Sequence, residues 1–294
     1  MFKYFSSRLI QLGIQHGSPS QFMNGVKQQL SHCVEISQMN QSLSNIMSNI
    51  QEGKKEILSS SVTSQFLEQE KMKRNNPYPN TWIPLSASFI SSYKVLVHEL
   101  RILDHDQAMS LLSEAICTLA PEEYNETHVI PYLVKKKATI HDAQHLERVK
   151  EFMEENYNKF PGFDMSTQIE HEEAQKGIPS QQQHQQLSSS SSTTISLVKM
   201  KVHYCVIHAF FKAHGMGHIL PAMCSFDCTW SSAFHSPRVG LKFRRSRVLS
   251  LGDEFCEFAV SKDFEKDMED AVMNTLPPKK TKFTMTVNNH EEIQ

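Results

Sequence analysis

The spacing of the apolar residues changes partway along this chain, and that change limits the fold more than any other feature. Before residue 164 the apolar positions recur at steps of three and four; after residue 194 stretches appear in which they alternate with polar ones. A helix returns a side chain to the same face every 3.6 residues and a strand every second residue, so the two halves cannot be the same kind of structure. The run from Gln181 to Thr194 separates them and is Gln, Ser and Thr except for His184 and Leu187. Such a run buries too little apolar surface to offset the entropy of ordering it. The expectation is an α+β protein in which a helical N-terminal half packs on a small antiparallel sheet. The boundaries read as a helical region at 1–163, a disordered Gln/Ser-rich insert at 164–193, an α+β region carrying the site at 194–275, and a loose tail at 276–294.

In the front half, Phe22, Val26, Leu30, Val34, Ile36 and Met39 form one helical stripe, which Leu43, Ile46, Met47 and Ile50 continue. The Asn75–Asn80 segment, with Pro77 and Pro79, breaks the pattern. A helix from about Ser86 to Leu100 places Phe89, Ile90, Tyr93, Val97 and Leu100 inward. Asp104 or Asp106 caps the next helix, which carries Met109, Leu111, Leu112, Ala115, Ile116 and Leu119 and ends at Pro121. Leu146, Val149, Phe152 and Met153 mark another helix within 142–157. After the polar run, Val198, Met200, Val202 and Tyr204 define a strand, and Ile207, Phe210 and Phe211 a helix stopped by Gly215. A short helix is expected from Ser225 to Phe234. Val239, Leu241 and Phe243 read as one strand, Phe255 to Val260 as the next, and Gly252-Asp253 as part of the connection between them, hence an antiparallel hairpin.

Several classes of function are disfavoured. The formal net charge is −2 and no dense basic stripe is present, so nothing points to nucleic acid. No apolar run approaches the ~18 residues of a membrane helix; the longest, Val202 to Phe211, is interrupted by His203 and His208. Six cysteines without a secretory leader suit reduced thiols in the cytoplasm. Residues 1–34 hold Lys3, Arg8 and Lys27 but no Asp or Glu, weakly like a mitochondrial presequence. An ordinary basic helix is the competing reading there. The sequence says nothing about oligomeric state.

Chemistry concentrates between residues 194 and 262, which hold four of the six cysteines and five of the fifteen histidines. Cys224 and Asp227 stand three apart, with Cys228 next. In a helix beginning near Ser225, Cys224 lies at the N-terminal end, where the dipole favours a thiolate, and Asp227 in the first turn. A thiolate beside a carboxylate is a workable pair for attack on an sp2 carbon. Buried structural cysteines and a favourable first-turn charge are the plainer alternative. A second cluster joins Arg245, Gly252, Asp253 and Cys256. Arg245 offers the planar fork that matches a substrate carboxylate, in competition with Arg244 and Arg247. Gly252 and Asp253 stand with it on the substrate side, and Cys256 with the catalytic groups. No cofactor fingerprint is present, and none is required. His203, Cys205, His208, His214, His218, Cys224, Cys228, His235 and Cys256 offer many metal donors, but without the close C-x-x-C pairs of structural zinc sites.

The segment Cys224-x-x-Asp227, followed by Arg245-x-x-x-Leu249-x-x-Gly252-x-x-x-Cys256-Glu257-Phe258, resembles the L-2-amino-thiazoline-4-carboxylate hydrolase family. That family carries C-x-x-D and then R-T-x-T-L-x-x-G-x-x-x-C-D-F-x-F, and the likeness covers roughly residues 195–262. It implies a hydrolase acting on a cyclic carbon–nitrogen bond of a small carboxylated substrate, with a carbamoyl-cysteine product. Cys224, Asp227, Arg245, Gly252 and Cys256 fall on family positions. Glu257 replaces the usual Asp, Val248 a Thr, and Ala259 an Arg whose loss would remove a substrate contact. On chemical grounds, Cys224 or a water activated by Asp227 attacks the ring carbon, Asp227 shuttles protons, and Arg245 holds the carboxylate. A catalytically silent relative that binds a small molecule or a partner, and a metal-dependent hydrolase, are the competing readings.

Overall fold

The computed structural model describes residues 19–32, 39–74, 82–119, 125–156, 162–173 and 194–262. The expected N-terminal helix and its presequence-like features, the end of the first stripe at Val34 and Ile36, Pro121, most of the Gln/Ser run, and everything after residue 262 lie outside them.

Helices α1 (Pro19–His32), α2 (Met39–Ser59), α3 (Ser61–Arg74) and α4 (Trp82–Tyr93) build the front of the molecule. Their buried positions follow the stripes: Phe22, Val26 and Leu30 from α1, Leu43, Ile50 and Ile57 from α2. Helix α4 is buried almost throughout despite its serines, because three of the four hydroxyls find carbonyls. Ser88 donates to the Pro84 carbonyl, Ser92 to that of Ser88, and Ser91 reaches across to the Ile50 carbonyl of α2 at 2.7 Å. Phe89 of α4 stacks on Phe22 at 5.4 Å and meets Phe211 edge-on, tying the front helices to the rear half.

A π-helical turn, Lys94–Glu99, continues α4, and Arg101 then turns the chain with φ +52°. Leu100 is therefore exposed rather than inward: the wider π turn rotates it off the stripe that a regular helix would continue. Helix α5 (His105–Cys117) opens on a capping box, in which Asp104 accepts the Gln107 backbone N–H at 2.8 Å and the Gln107 side chain accepts that of Asp104. Its apolar residues Leu111, Leu112, Ala115 and Ile116 are fully buried. A second π turn (Asn125–Val129) leads into α6 (Ile130–Lys135), and α7 (His145–Asn156) follows.

The sheet is antiparallel with strand order β1–β2–β4–β3, made of β1 (Phe163–Glu173), β2 (Thr194–Cys205), β3 (Lys242–Arg247) and β4 (Cys256–Ser261). Residues 164–173, assigned on composition to the insert, belong to β1 instead. Their polar side chains suit an edge strand, and register pairing with β2 supplies the stability that composition lacks. The strand expected from Val239 begins later, at Lys242; Val239 and Gly240 both donate to the Ser236 carbonyl, and Gly240 has φ +71°. Between β2 and β3 lie α8 (Val206–Ala213), a 3-10 turn (Gly217–Ile219), α9 (Leu220–Cys224), α10 (Phe226–Ser231) and a second 3-10 turn (Ser232–His235).

Two apolar cores result. One gathers α1 to α5 with Phe210, Phe211 and Leu220; the other packs Val149, Phe152, Met153 and Phe234 on Val198, Met200, Phe243 and Phe258 of the sheet. Phe163 and Cys205 touch both, so the junction of β2 with α8 is the seam between them. Among the described residues no helix is long and apolar enough to cross a membrane. Removing the α5 cap by Asp104→Ala is expected to lower stability by about 1 kcal/mol, read as a lower urea midpoint at unchanged slope.

Candidate functional site

The hairpin of β3 and β4 carries the site because of one irregularity. Arg245 pairs with Phe258, and the register slips by one residue before Arg247 pairs with Glu257. The chain then makes a 3-10 turn at Leu249–Leu251, closed by Gly252 with φ +99°, a conformation that glycine adopts without a Cβ penalty. Asp253 fastens this turn by accepting the Val248 N–H at 2.6 Å. The turn presents the Leu249 N–H to the Cys256 sulfur at 3.3 Å. The long spacing from Arg245 through Leu249 and Gly252 to Cys256 thus describes one loop wrapped around one sulfur.

Arg245 is 2% exposed and faces the core side of the sheet, its guanidinium 5.1 Å from the Phe258 ring centre. Nη1 contacts the Asp227 carboxylate at 3.1 Å and donates to the Cys224 carbonyl at 3.3 Å; Nη2 donates to the Cys256 sulfur at 3.7 Å. Burial opposes the charge, but Asp227, Cys224 and Cys256 together more than offset it, so the guanidinium is held protonated more firmly than an exposed arginine. The four residues Cys224, Asp227, Arg245 and Cys256 therefore meet at one place, although 32 positions separate the first from the last. Gly252 and Asp253 do not reach it; both are exposed and shape the turn.

Cys224 differs from its sequence-based expectation. It is the last residue of α9, and α10 begins at Phe226, so Cys224 does not start a helix. Burial pushes its thiol up to about 11; Arg245 pulls it down, while Asp227 and Cys256 push it further up. Desolvation outweighs the dipole of a six-residue helix. The Cys256 thiol is also raised by burial, opposed by Arg245 and by the Leu249 N–H. Cys205 stands close enough to interact with both thiols and is raised by burial as well. Two further groups escaped the sequence reading. Ser250 lies beside Cys224 with its hydroxyl buried against the thiol, where it favours the thiolate. Arg245 Nε is buried without a partner. A turn serine and one edge of an arginine leave no signature in a sequence.

Ala259 lies on the opposite face. Its strand neighbours there are Lys199 and Arg244, and it packs with Ile195 and Leu197 rather than with the core that holds Cys256 and Phe258. That face carries its own charge network: Lys199 contacts Glu170 at 2.6 Å and Glu172 at 2.7 Å, and Arg244 contacts Glu172 at 3.1 Å. An arginine at 259 would not point at Cys256, because successive strand residues face opposite ways.

Among the described residues no three His, Cys, Asp or Glu side chains converge closely enough to hold a metal ion. Four histidines of the candidate donor set lie apart from one another: His203 contacts Ser166, His214 contacts Thr63, His218 lies against Tyr93, and His235 accepts the Phe243 N–H.

Arg245→Met is expected to cost about 3 kcal/mol, at the low end for a broken buried pair because Asp227 keeps a quarter of its exposure. Chemical denaturation measures it, and adding Asp227→Asn recovers part of the loss. The raised Cys224 thiol sets a second expectation. A thiol with its ordinary value of 9.0 when unfolded and about 11 when folded favours folding fully below pH 9, and that contribution falls as the pH rises towards 11. Denaturation midpoints across this window decline in the parent chain, and the decline is shallower in Cys224→Ala.

No curated protein and no solved structure matches the chain. The family model for L-2-amino-thiazoline-4-carboxylic acid hydrolase matches residues 86–260, more than half of the chain and the stretch that runs from α4 to β4. With its motif residues drawn together around Arg245, this chain belongs to the L-2-amino-thiazoline-4-carboxylic acid hydrolase family.

Proposed function

We propose that the protein is a hydrolase that opens a small carboxylated ring at a cyclic carbon–nitrogen bond, with Cys224, Asp227, Arg245 and Cys256 as its site. The convergence of those motif residues on one buried guanidinium carries this reading. Over the whole reaction, the oxygen of one water ends on the ring carbon between nitrogen and sulfur. The carbon–ring nitrogen bond breaks, the departing nitrogen gains two protons, and a carbamoyl-cysteine results.

Asp227 is the one carboxylate of the cluster and keeps about a quarter of its side-chain surface, so it can meet the substrate while Arg245 anchors it. It serves as the proton carrier and faces the charge on the substrate's amidine. Arg245 acts differently from a surface carboxylate clamp. Both ends of its fork are engaged, so it organises the site, and only its Nε edge remains for a substrate atom. The loss of an arginine at 259 concerns the other face of the sheet and gives no reason to read the chain as a silent relative.

Mass-resolved turnover of L-2-amino-thiazoline-4-carboxylate tests the proposal. The parent is expected to yield a product heavier by one water, and Asp227→Asn to lose at least about a hundredfold in rate. A folded parent that leaves this substrate unchanged overturns the reading.

A further inference from the structure

We infer that Cys256, rather than Cys224, is the nucleophilic thiol of this site, with the Arg245 Nη2 and Leu249 N–H groups as its thiolate cradle. The inference rests on the hydrolase reading and names the attacking atom within it.

A thiolate needs donors, and the two cysteines differ in what surrounds the sulfur. Cys256 receives two N–H groups, one charge-assisted, from Arg245 at 3.7 Å and Leu249 at 3.3 Å. Cys224 meets Arg245 through its backbone carbonyl instead, and the donor beside its sulfur is the neutral Ser250 hydroxyl. The donors around Cys256 are also fixed in place. Arg245 is held by Asp227 and the Phe258 ring, and the Leu249 N–H is aimed by a turn that needs Gly252 in the left-handed region and Asp253 on the Val248 N–H. Preorganised donors of this kind stabilise charge without reorganising.

The guanidinium edge that carries Nη2 also carries Nε, a buried donor without a partner. A buried donor left open is costly unless something fills it. It lies on the edge turned to Cys256, where a substrate atom bound for attack by this sulfur would accept its hydrogen bond. Asp227 sits at the other end of the same guanidinium, near enough to Cys256 to act on its charge, and is the base to which the thiol proton is assigned.

The step balances as follows. The Cys256 thiol proton passes through Asp227 to the ring nitrogen as sulfur bonds to the ring carbon. The carbon–ring nitrogen bond breaks, and the nitrogen leaves as an amine after taking a second proton from the exocyclic nitrogen. Water then adds to the carbon and expels the Cys256 sulfur as a thiol, leaving the carbamoyl product. The intermediate has the mass of enzyme plus substrate.

Two measurements on the full chain test this. Thiolate absorbance is followed against pH, and the step missing in Cys256→Ser is expected at lower pH than the step missing in Cys224→Ser. Alkylation of the unmutated protein by iodoacetamide, mapped by peptide mass, is expected to mark Cys256 at lower pH than Cys224, which guards against a variant that misfolds. A Cys224 step at or below the pH of the Cys256 step, or Cys224 marked first, overturns the assignment. Rapid quenching with the thiazoline substrate is expected to trap its full mass on the peptide containing Cys256; turnover without that adduct also overturns it. A parent that turns nothing over defeats the hydrolase reading alone, because the ionisation order still decides which thiol the cradle serves.

Discussion

The Asp227–Arg245 pair is the interaction on which the site depends. A guanidinium at 2% exposure carries a large desolvation penalty, and it is tolerated only where its donors are used. Here the donors join elements far apart in the chain: α10 through Asp227, the end of α9 through the Cys224 carbonyl, and β4 through the Cys256 sulfur. The pair therefore acts less as a source of net stability than as a device that fixes how the α9–α10 segment meets the hairpin. A partly satisfied network is costly, so the arrangement has few alternatives of similar energy.

The sheet divides labour between its faces. On one, Arg245, Cys256 and Phe258 turn towards the core that contains Phe234 and Phe152; on the other, Lys199, Arg244, Glu170, Glu172 and Glu257 form a charge network around Ile195, Leu197 and Ala259. Strand β4 is buried along its whole length because both faces are covered. The slip between Arg245 and Arg247 lets two neighbouring strands serve both faces without placing the second arginine beside the first.

Much of the architecture was legible in the spacing of the apolar residues. The helical stripes of α1, α2, α5 and α7 and the alternation of β2 appear in the fold as buried faces, and the β3–β4 hairpin stands where expected. The misreadings share a cause. Residues 164–173 are polar enough to look like insert, and become a strand through pairing with β2, whose partners lie 21 to 40 residues further along the chain. Leu100 follows the helical stripe in sequence but sits past a π turn. Cys224 was expected to gain acidity from a helix start; it ends a helix, and burial governs its ionisation. Each depends on neighbours that a local pattern does not contain.

The sequence by itself determined the α+β class, the motif residues and their order, because hydrophobic period and residue chemistry are local properties. Tertiary structure alone decided that Arg245 spends its fork on Asp227, Cys224 and Cys256, that Ala259 faces away from them, and that Leu249 contributes a backbone N–H rather than its side chain. Those are facts of register and burial. A single-residue slip in a strand reverses a face, and a buried charge takes its partners from whatever the fold brings within hydrogen-bonding distance.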